Sequence, residues 1–200
     1  MEFIDIVNKG GGKFLSRYDV NYKDGEILRT YEMFSRDPEL LDFESLQNPR
    51  TDAVIIIAVN KERDRLLLLR EFRMELGKTI YGLPAGLIDP GESFYDTAKR
   101  ELFEETGVRL SRIIDILPPS YCAVGLSNEQ CVCVFCEAEG EPYPAGTGGE
   151  EIDAKWFSKE ELKELLRSSP FGSWAQAYSF MWVHGMDFYN DDIYNKEKNR

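Results

Sequence analysis

Glu92, Glu101, Glu104 and Glu105 fall, with Arg100, in a single stretch from Gly86 to Val108 that reads GLIDPGESFYDTAKRELFEETGV. Carboxylates spaced this way suit a hard divalent cation, because Mg²⁺ and Mn²⁺ take carboxylate, carbonyl and water oxygens. A cation held there could meet phosphate. The spacing works only if the stretch is helical. Pro90-Gly91 breaks the chain, Glu92 and Ser93 supply first-turn acid and capping chemistry, and Gly107 stands where a left-handed C-terminal residue is wanted. On such a helix Glu101, Glu104 and Glu105 share an arc of roughly 100°. Like charges on one stripe repel and weaken a helix, so a countercharge is expected. Arg100, four residues before Glu104, supplies part of it, and divalent cations can supply the rest. The plain alternative is a solvated acidic helix face.

The same stretch resembles the Nudix box: Gly, five residues, Glu, seven residues, Arg-Glu, an aliphatic, any residue, Glu-Glu, any residue, Gly, an aliphatic. Gly86, Glu92, Arg100, Glu101, Leu102, Glu104, Glu105, Gly107 and Val108 fill every defined position. The resemblance implies a hydrolase of nucleoside diphosphates linked to another group, in which a loop-helix-loop holds divalent cations against the substrate pyrophosphate. It makes Glu101 and Glu105 the main metal ligands, Glu104 a further ligand or base, and the carbonyl of Ala85 another ligand. Arg100 orients the acids, and Glu92 braces the loop or joins the metal shell. The cofactor implied is Mg²⁺, with Mn²⁺ as the alternative.

The elements that must position these residues form one catalytic domain with an appendage. Two hundred residues with 42% hydrophobic content can build one good core. Residues 1–49 read as an antiparallel strand layer, 50–190 as the catalytic domain and 191–200 as a polar tail. In the first segment, alternating runs KFLSRYDVNY and ILRTYEMFSR flank Asp24-Gly25, a strong hairpin signal. Pro38 to Arg50 reads as a connector with one helical turn. AVIIIAVN and RLLLLREF read as buried strands joined at Asn60 to Asp64. RIIDIL, EQCVCVFCEAE and DAKWFS supply further strands, and SKEELKELLRSS a helix opened by a capping box of Ser158 and Glu161. Ser173 is placed to cap WAQAYSFMWVHG, an aromatic-rich helix read as packed rather than as a ligand platform. GEPYPAGTGGEE lacks periodicity and reads as a loop. The fold class expected is α/β (α+β), a Nudix-type α/β/α sandwich around a mixed sheet with a small N-terminal antiparallel layer.

A net charge of −12 and a pI near 4.7 oppose binding of long nucleic acid, which needs clustered Lys and Arg. A small anionic substrate is compatible, since bound metal reverses the local sign. No apolar stretch approaches the roughly 20 residues that span a bilayer, and MEFIDIVNKG does not read as a signal peptide. No membrane partner and a cytoplasmic location are expected. Cys131, Cys133 and Cys136, near Cys122, lack zinc-site spacing, and alternation along QCVCVFCEA turns Cys136 away from the other two. They read as free buried thiols of a reducing compartment.

Outside the box, TYEMFSR, LLLREFRMELGKTIYGLPAGLIDPGE, GLSNE and EEIDAKWFSKEEL resemble the ADP-ribose pyrophosphatase branch of the family, from about residue 13 to 167. That resemblance implies a homodimer formed through the N-terminal strands, and arginines near Arg36, Arg70 and Arg73 that meet the nucleotide or its phosphates, Arg73 first among them. It also implies a catalytic acid on the loop after the box, at Glu150 or, one residue on, Glu151. Two positions depart from the branch: Val124 where a proline marks ADP-ribose enzymes, and Gly82 where Glu is common. The activity implied is metal-dependent hydrolysis of ADP-ribose or a related nucleoside diphosphate sugar to a nucleoside monophosphate and a sugar phosphate. Other nucleotides as substrates, and a non-catalytic nucleotide sensor on the same fold, are the alternatives.

Overall fold

A computed structural model of the chain describes residues 1–47, 50–143 and 152–186. In chain order the elements are β1 (Glu2–Gly11), β2 (Ser16–Asp24), β3 (Ile27–Ser35), α1 (Phe43–Gln47), β4 (Thr51–Val59), β5 (Arg65–Arg73), β6 (Lys78–Gly82) and β7 (Ala85–Leu87). The box helix α2 (Phe94–Thr106) follows, then β8 (Arg109–Ile116), β9 (Ser120–Tyr121), β10 (Gln130–Glu139), β11 (Ile152–Ser158), α3 (Lys159–Ser168) and α4 (Ser173–Val183). They fall into two compact units: Met1–Ala53 with Pro118–Val132, and Val54–Leu117 with Cys133 onward.

The first unit holds an antiparallel sheet in the order β1-β2-β3. The hairpin signal is met by a two-residue loop between Asp24 and Ile27, with Gly25 at φ 63° as such turns require. β1 has no counterpart in the sequence reading. Register shifts between Phe3 and Asp5 and between Asn8 and Gly11 break its alternation, and most of its residues are exposed. The expected helical turn is α1, whose entry is closed by Ser45 N–H donating to Asp42 Oδ1 at 2.8 Å. β9 pairs with the first residues of β10, Ser120 opposite Cys131.

In the second unit the strand order is β11-β5-β4-β10-β8, with β6 beside β5 and β7 beside β4. α3 and α4 cover one face, burying Ile57, Val59, Leu66, Leu68, Cys133 and Phe157 with Leu162, Tyr178 and Trp182. α2 packs on β7, β8 and β11, and its buried Ala98 and Leu102 lie outside that cluster, so it covers the other face. This is the expected α/β/α sandwich. The aromatic helix packs into the core as read. Its cap differs: Gly172 is the cap and Ser173 the first helical residue, because Gly172 N–H is held by Tyr81 O at 2.8 Å. Ser158 and Glu161 form the capping box of α3. None of the four cysteines forms a disulfide, and Cys131, Cys133 and Cys136 are buried. Burial pushes the Cys136 thiol up to about 12, with Glu137 adding to the effect. Among the described residues no helix is long and apolar enough to cross a membrane.

Candidate active site

The box folds as a turn, a helix and a glycine stop. Ser93 caps α2, its side chain accepting from Asp96 N–H at 3.2 Å, and Gly107 at φ 71° ends it by donating to Phe103 O at 2.8 Å. The Tyr143 ring lies against Gly107, so closely that a β-carbon there would stand 1.8 Å from it.

Glu92 and Arg100 clasp the turn to the helix. Arg100 Nε and Nη2 donate to the two oxygens of Glu92 at 2.9 and 2.8 Å, the bidentate geometry of a strong charge-assisted pair. Thr97 Oγ1 and Asp89 N–H also donate to Glu92 Oε2, at 2.8 and 3.3 Å. The Arg100 hydrogen bonds, then that of Thr97, hold the Glu92 carboxyl down at about 2. With its acceptor sites taken up inside the protein, Glu92 acts as the brace of the loop.

Arg100 also reaches the acid stripe. Its Nη1 donates to Glu101 Oε1 at 2.7 Å and to Glu104 Oε2 at 3.3 Å, and its Nη2 to Leu87 O at 3.1 Å. This is the countercharge the stripe requires. The two partners of the Arg100–Glu101 pair respond differently. Arg100 is held protonated still more firmly, chiefly by Glu92, whereas burial pushes the Glu101 carboxyl up despite Arg100. Desolvation governs Glu101 because its side chain is only 15% exposed.

Gly86 makes room for that carboxylate: a β-carbon at Gly86 would lie 1.8 Å from Glu101 Cδ. Glu105 Oε2 accepts from Ala85 N–H at 3.0 Å, tying β7 to the helix beside the same spot. Ala85, Glu101, Glu104 and Glu105 are thus brought to one edge of α2. The donor set is hard oxygen and fits Mg²⁺ or Mn²⁺, and a half-buried carboxylate in a glycine cradle gains from a cation. Among the described residues no three acidic, Cys or His side chains yet converge as a metal cage, and Arg100 spans Glu101 and Glu104.

The candidate substrate arginines differ in their surroundings. Arg73 is held between Glu71 (3.3 Å) and Glu75 (2.9 Å). By strand alternation it shares the face of Leu69, which α2 covers, whereas Arg70 follows Leu66 and Leu68 onto the α3/α4 face. Among the described residues Arg70 has no carboxylate at ion-pair distance. Arg36 belongs to the first unit, where it pairs with Glu129. Glu150 and Glu151 lie outside the described residues. Sequence reasoning missed Thr97, although Thr97, Glu101 and Glu105 recur every four residues along one helix stripe. It also missed Gly86 as the cradle of Glu101.

The NUDIX domain family matches residues 49–176. The chain belongs to the Nudix family. Among its relatives, the ADP compounds hydrolase NudE of Escherichia coli (strain K12) is 40% identical over 157 residues, 78% of this chain and 70% of that protein. Nudix hydrolase 19, chloroplastic, of Arabidopsis thaliana is 33% identical over 121 residues, 59% of this chain. The NAD-capped RNA hydrolase NUDT12 of Macaca fascicularis is 30% identical over 135 residues, 64% of this chain. The Nudix chain spans only 27% of the length of each of these last two. A crystal structure of an ADP compounds hydrolase matches with a TM-score of 0.69, covering 92% of this chain and 93% of that one at 21% identity, a likeness of fold.

Proposed function

We propose that this Nudix protein hydrolyses the pyrophosphate linkage of ADP-ribose or a related nucleoside diphosphate sugar, releasing a nucleoside monophosphate and a sugar phosphate. The observation that carries the reading is the Glu92–Arg100 clasp, which sets Glu101 and Glu104 on one helix edge beside Ala85 and Glu105. Similarity to NudE, an ADP compounds hydrolase, over 78% of the chain supports the substrate class.

Glu101 and Glu105, with Glu104 and the Ala85 carbonyl, would hold Mg²⁺, or Mn²⁺ in its place. Bound there, the cation would neutralise phosphate oxygens and lower the pKa of a water. Arg100 keeps Glu101 and Glu104 in register. Arg73 is the first candidate for a phosphate contact, exchanging Glu71 and Glu75 for phosphate oxygens; Arg36 and Arg70 are lesser candidates, Arg70 standing on the sheet face away from α2. Glu150 or Glu151 would orient or deprotonate the attacking water.

The test is incubation with ADP-ribose and Mg²⁺, followed for AMP, beside a panel of nucleoside diphosphate sugars, dinucleotides, nucleoside triphosphates and NAD-capped RNA compared by kcat/KM. AMP release with preference for a nucleotide sugar is expected. Tight ADP-ribose binding without product would make the protein a sensor. Preference for the capped RNA would favour the reading suggested by the NUDT12 relative, which the net charge of −12 opposes.

The reading includes a homodimer through the N-terminal strands, supported by exposed Ile27, Leu28, Tyr31 and Phe34 on β3. Sedimentation at micromolar concentration should return twice the 23.0 kDa chain mass. It also includes a cytoplasmic location, supported by buried cysteines kept as thiols.

A further inference from the structure

We propose that Thr97 is a positioning residue of this site, acting through its hydroxyl on Glu92 and, through Glu92, on Arg100. Thr97 is fully buried, and its backbone N–H is already committed to Ser93 O at 3.0 Å. Its hydroxyl donates to Glu92 Oε2 at 2.8 Å from the helix side, while Asp89 N–H donates to the same oxygen at 3.3 Å from the turn side. These two donors fix the rotation of the carboxylate. Only in that rotation do both Glu92 oxygens meet the rigid fork of Arg100, at 2.9 and 2.8 Å.

The rest of the guanidinium is then directed at Glu101 Oε1, Glu104 Oε2 and Leu87 O. A Glu92 carboxylate free to turn loosens the fork, and the fork carries the two acids with it. The Thr97 hydroxyl donates to Glu92 rather than to either acid. Its influence passes along a relay of hydrogen bonds, as outer partners of metal ligands act.

Valine has nearly the shape of threonine and lacks only the hydroxyl, and serine keeps the hydroxyl and lacks the methyl. Thr97→Val and Thr97→Ser therefore separate the hydrogen bond from the packing. The inference rests on the reading that Glu101 and Glu104 hold a divalent cation, so the experiment measures the cation directly. Mn²⁺ binding to the full chain is followed by the paramagnetic resonance of free Mn²⁺, beside kcat and KM for ADP-ribose at saturating Mn²⁺ and thermal unfolding without metal.

Thr97→Val should weaken Mn²⁺ binding roughly tenfold and lower kcat more than it changes KM. Thr97→Ser should bind Mn²⁺ within about twofold of wild type, the hydroxyl being retained. Wild-type Mn²⁺ affinity in a folded Thr97→Val overturns the proposal alone, as does a Thr97→Ser protein as defective as Thr97→Val, which would mark a packing role. A wild-type protein that binds no Mn²⁺ overturns the metal reading, and this proposal with it.

Discussion

The α-carbon of Gly86 sits against the carboxylate of Glu101, so that a β-carbon on residue 86 would fall 1.8 Å from Glu101 Cδ and 2.0 Å from its Oε1. The Glu101 side chain fills the space that a side chain on residue 86 would take, and the carboxylate is seated there. Gly86→Ala should leave the sheet and α2 in place, because the side chain of Glu101 can turn away, and should lower kcat by roughly 100-fold through misplacement of the acid. Steady-state kinetics beside circular dichroism would check this. A folded Gly86→Ala enzyme with wild-type turnover would show that Glu101 does not act from this seat.

Activity and stability should part at Glu101. Burial disfavours its charge and pushes its pKa up, so the ionised side chain is a burden on the folded state at neutral pH. Glu101→Gln removes that burden while removing a proposed ligand. Turnover should fall at least about 100-fold, with the melting temperature at pH 7 unchanged or higher. Glu105→Gln should lose activity as well. Near wild-type activity of either variant at saturating Mg²⁺ would refute the metal assignment.

Most of the box was legible because its determinants are local. Pro90-Gly91, Ser93 and Gly107 mark the ends of α2 within a few residues of chain, and Ser158 with Glu161 does the same for α3. The acid stripe follows from helical spacing alone. The fate of Glu92 was open in sequence, between loop brace and metal shell, because it turns on whether a buried hydroxyl and a bidentate arginine fill its acceptor sites. β1 escaped because its bulges break the two-residue period. β6 and β7 escaped because TIYGLPAGL is short and interrupted by glycine and proline; β6 closes a local hairpin on β5, with Arg73 opposite Lys78, whereas β7 pairs with β4 far earlier in the chain. The surroundings of Arg36, Arg70 and Arg73 depend likewise on tertiary neighbours: Arg36 finds Glu129 across a large gap in sequence.

The capping box of α3 gives a pH-dependent stability. The Glu161 carboxyl is held at about 2, below the ordinary 4.5, chiefly by Lys155 Nζ at 2.8 Å and then by Ser158 N–H. A depressed folded-state pKa contributes stability above pH 4.5 that is lost as the pH falls toward 2. Gln at this position can still accept from Ser158 N–H, so Glu161→Gln removes the charge and keeps the cap. Since Lys155 is well exposed, the difference at pH 6 should be no more than about 1 kcal/mol. Denaturation of both proteins between pH 6 and pH 3 should show the gap narrowing as the pH falls. A constant gap would contradict the assignment to charge.

Arg100→Lys tests whether the clasp needs a fork or only a positive charge. Among the described residues Arg100 makes five hydrogen bonds with defined directions, two to Glu92 and one each to Glu101, Glu104 and Leu87 O, and a longer ion pair to Asp89. A lysine ammonium is a compact point charge with three donors, and it cannot meet both Glu92 oxygens side by side while reaching Glu101 on the other side. The Glu92 carboxylate would stay only 22% exposed with fewer donors, and its depressed pKa, set first by Arg100, should rise. Two consequences can be measured. kcat should drop by roughly 10- to 100-fold, as loss of an outer partner of a metal ligand does, and added Mn²⁺ should recover only part of it. The melting temperature should also fall, by several degrees at pH 7, because the turn at Asp89 to Glu92 loses its tie to α2. If Arg100→Lys matched wild type in both, positive charge alone would account for the site, and the bidentate geometry of Glu92 and Arg100 would be incidental.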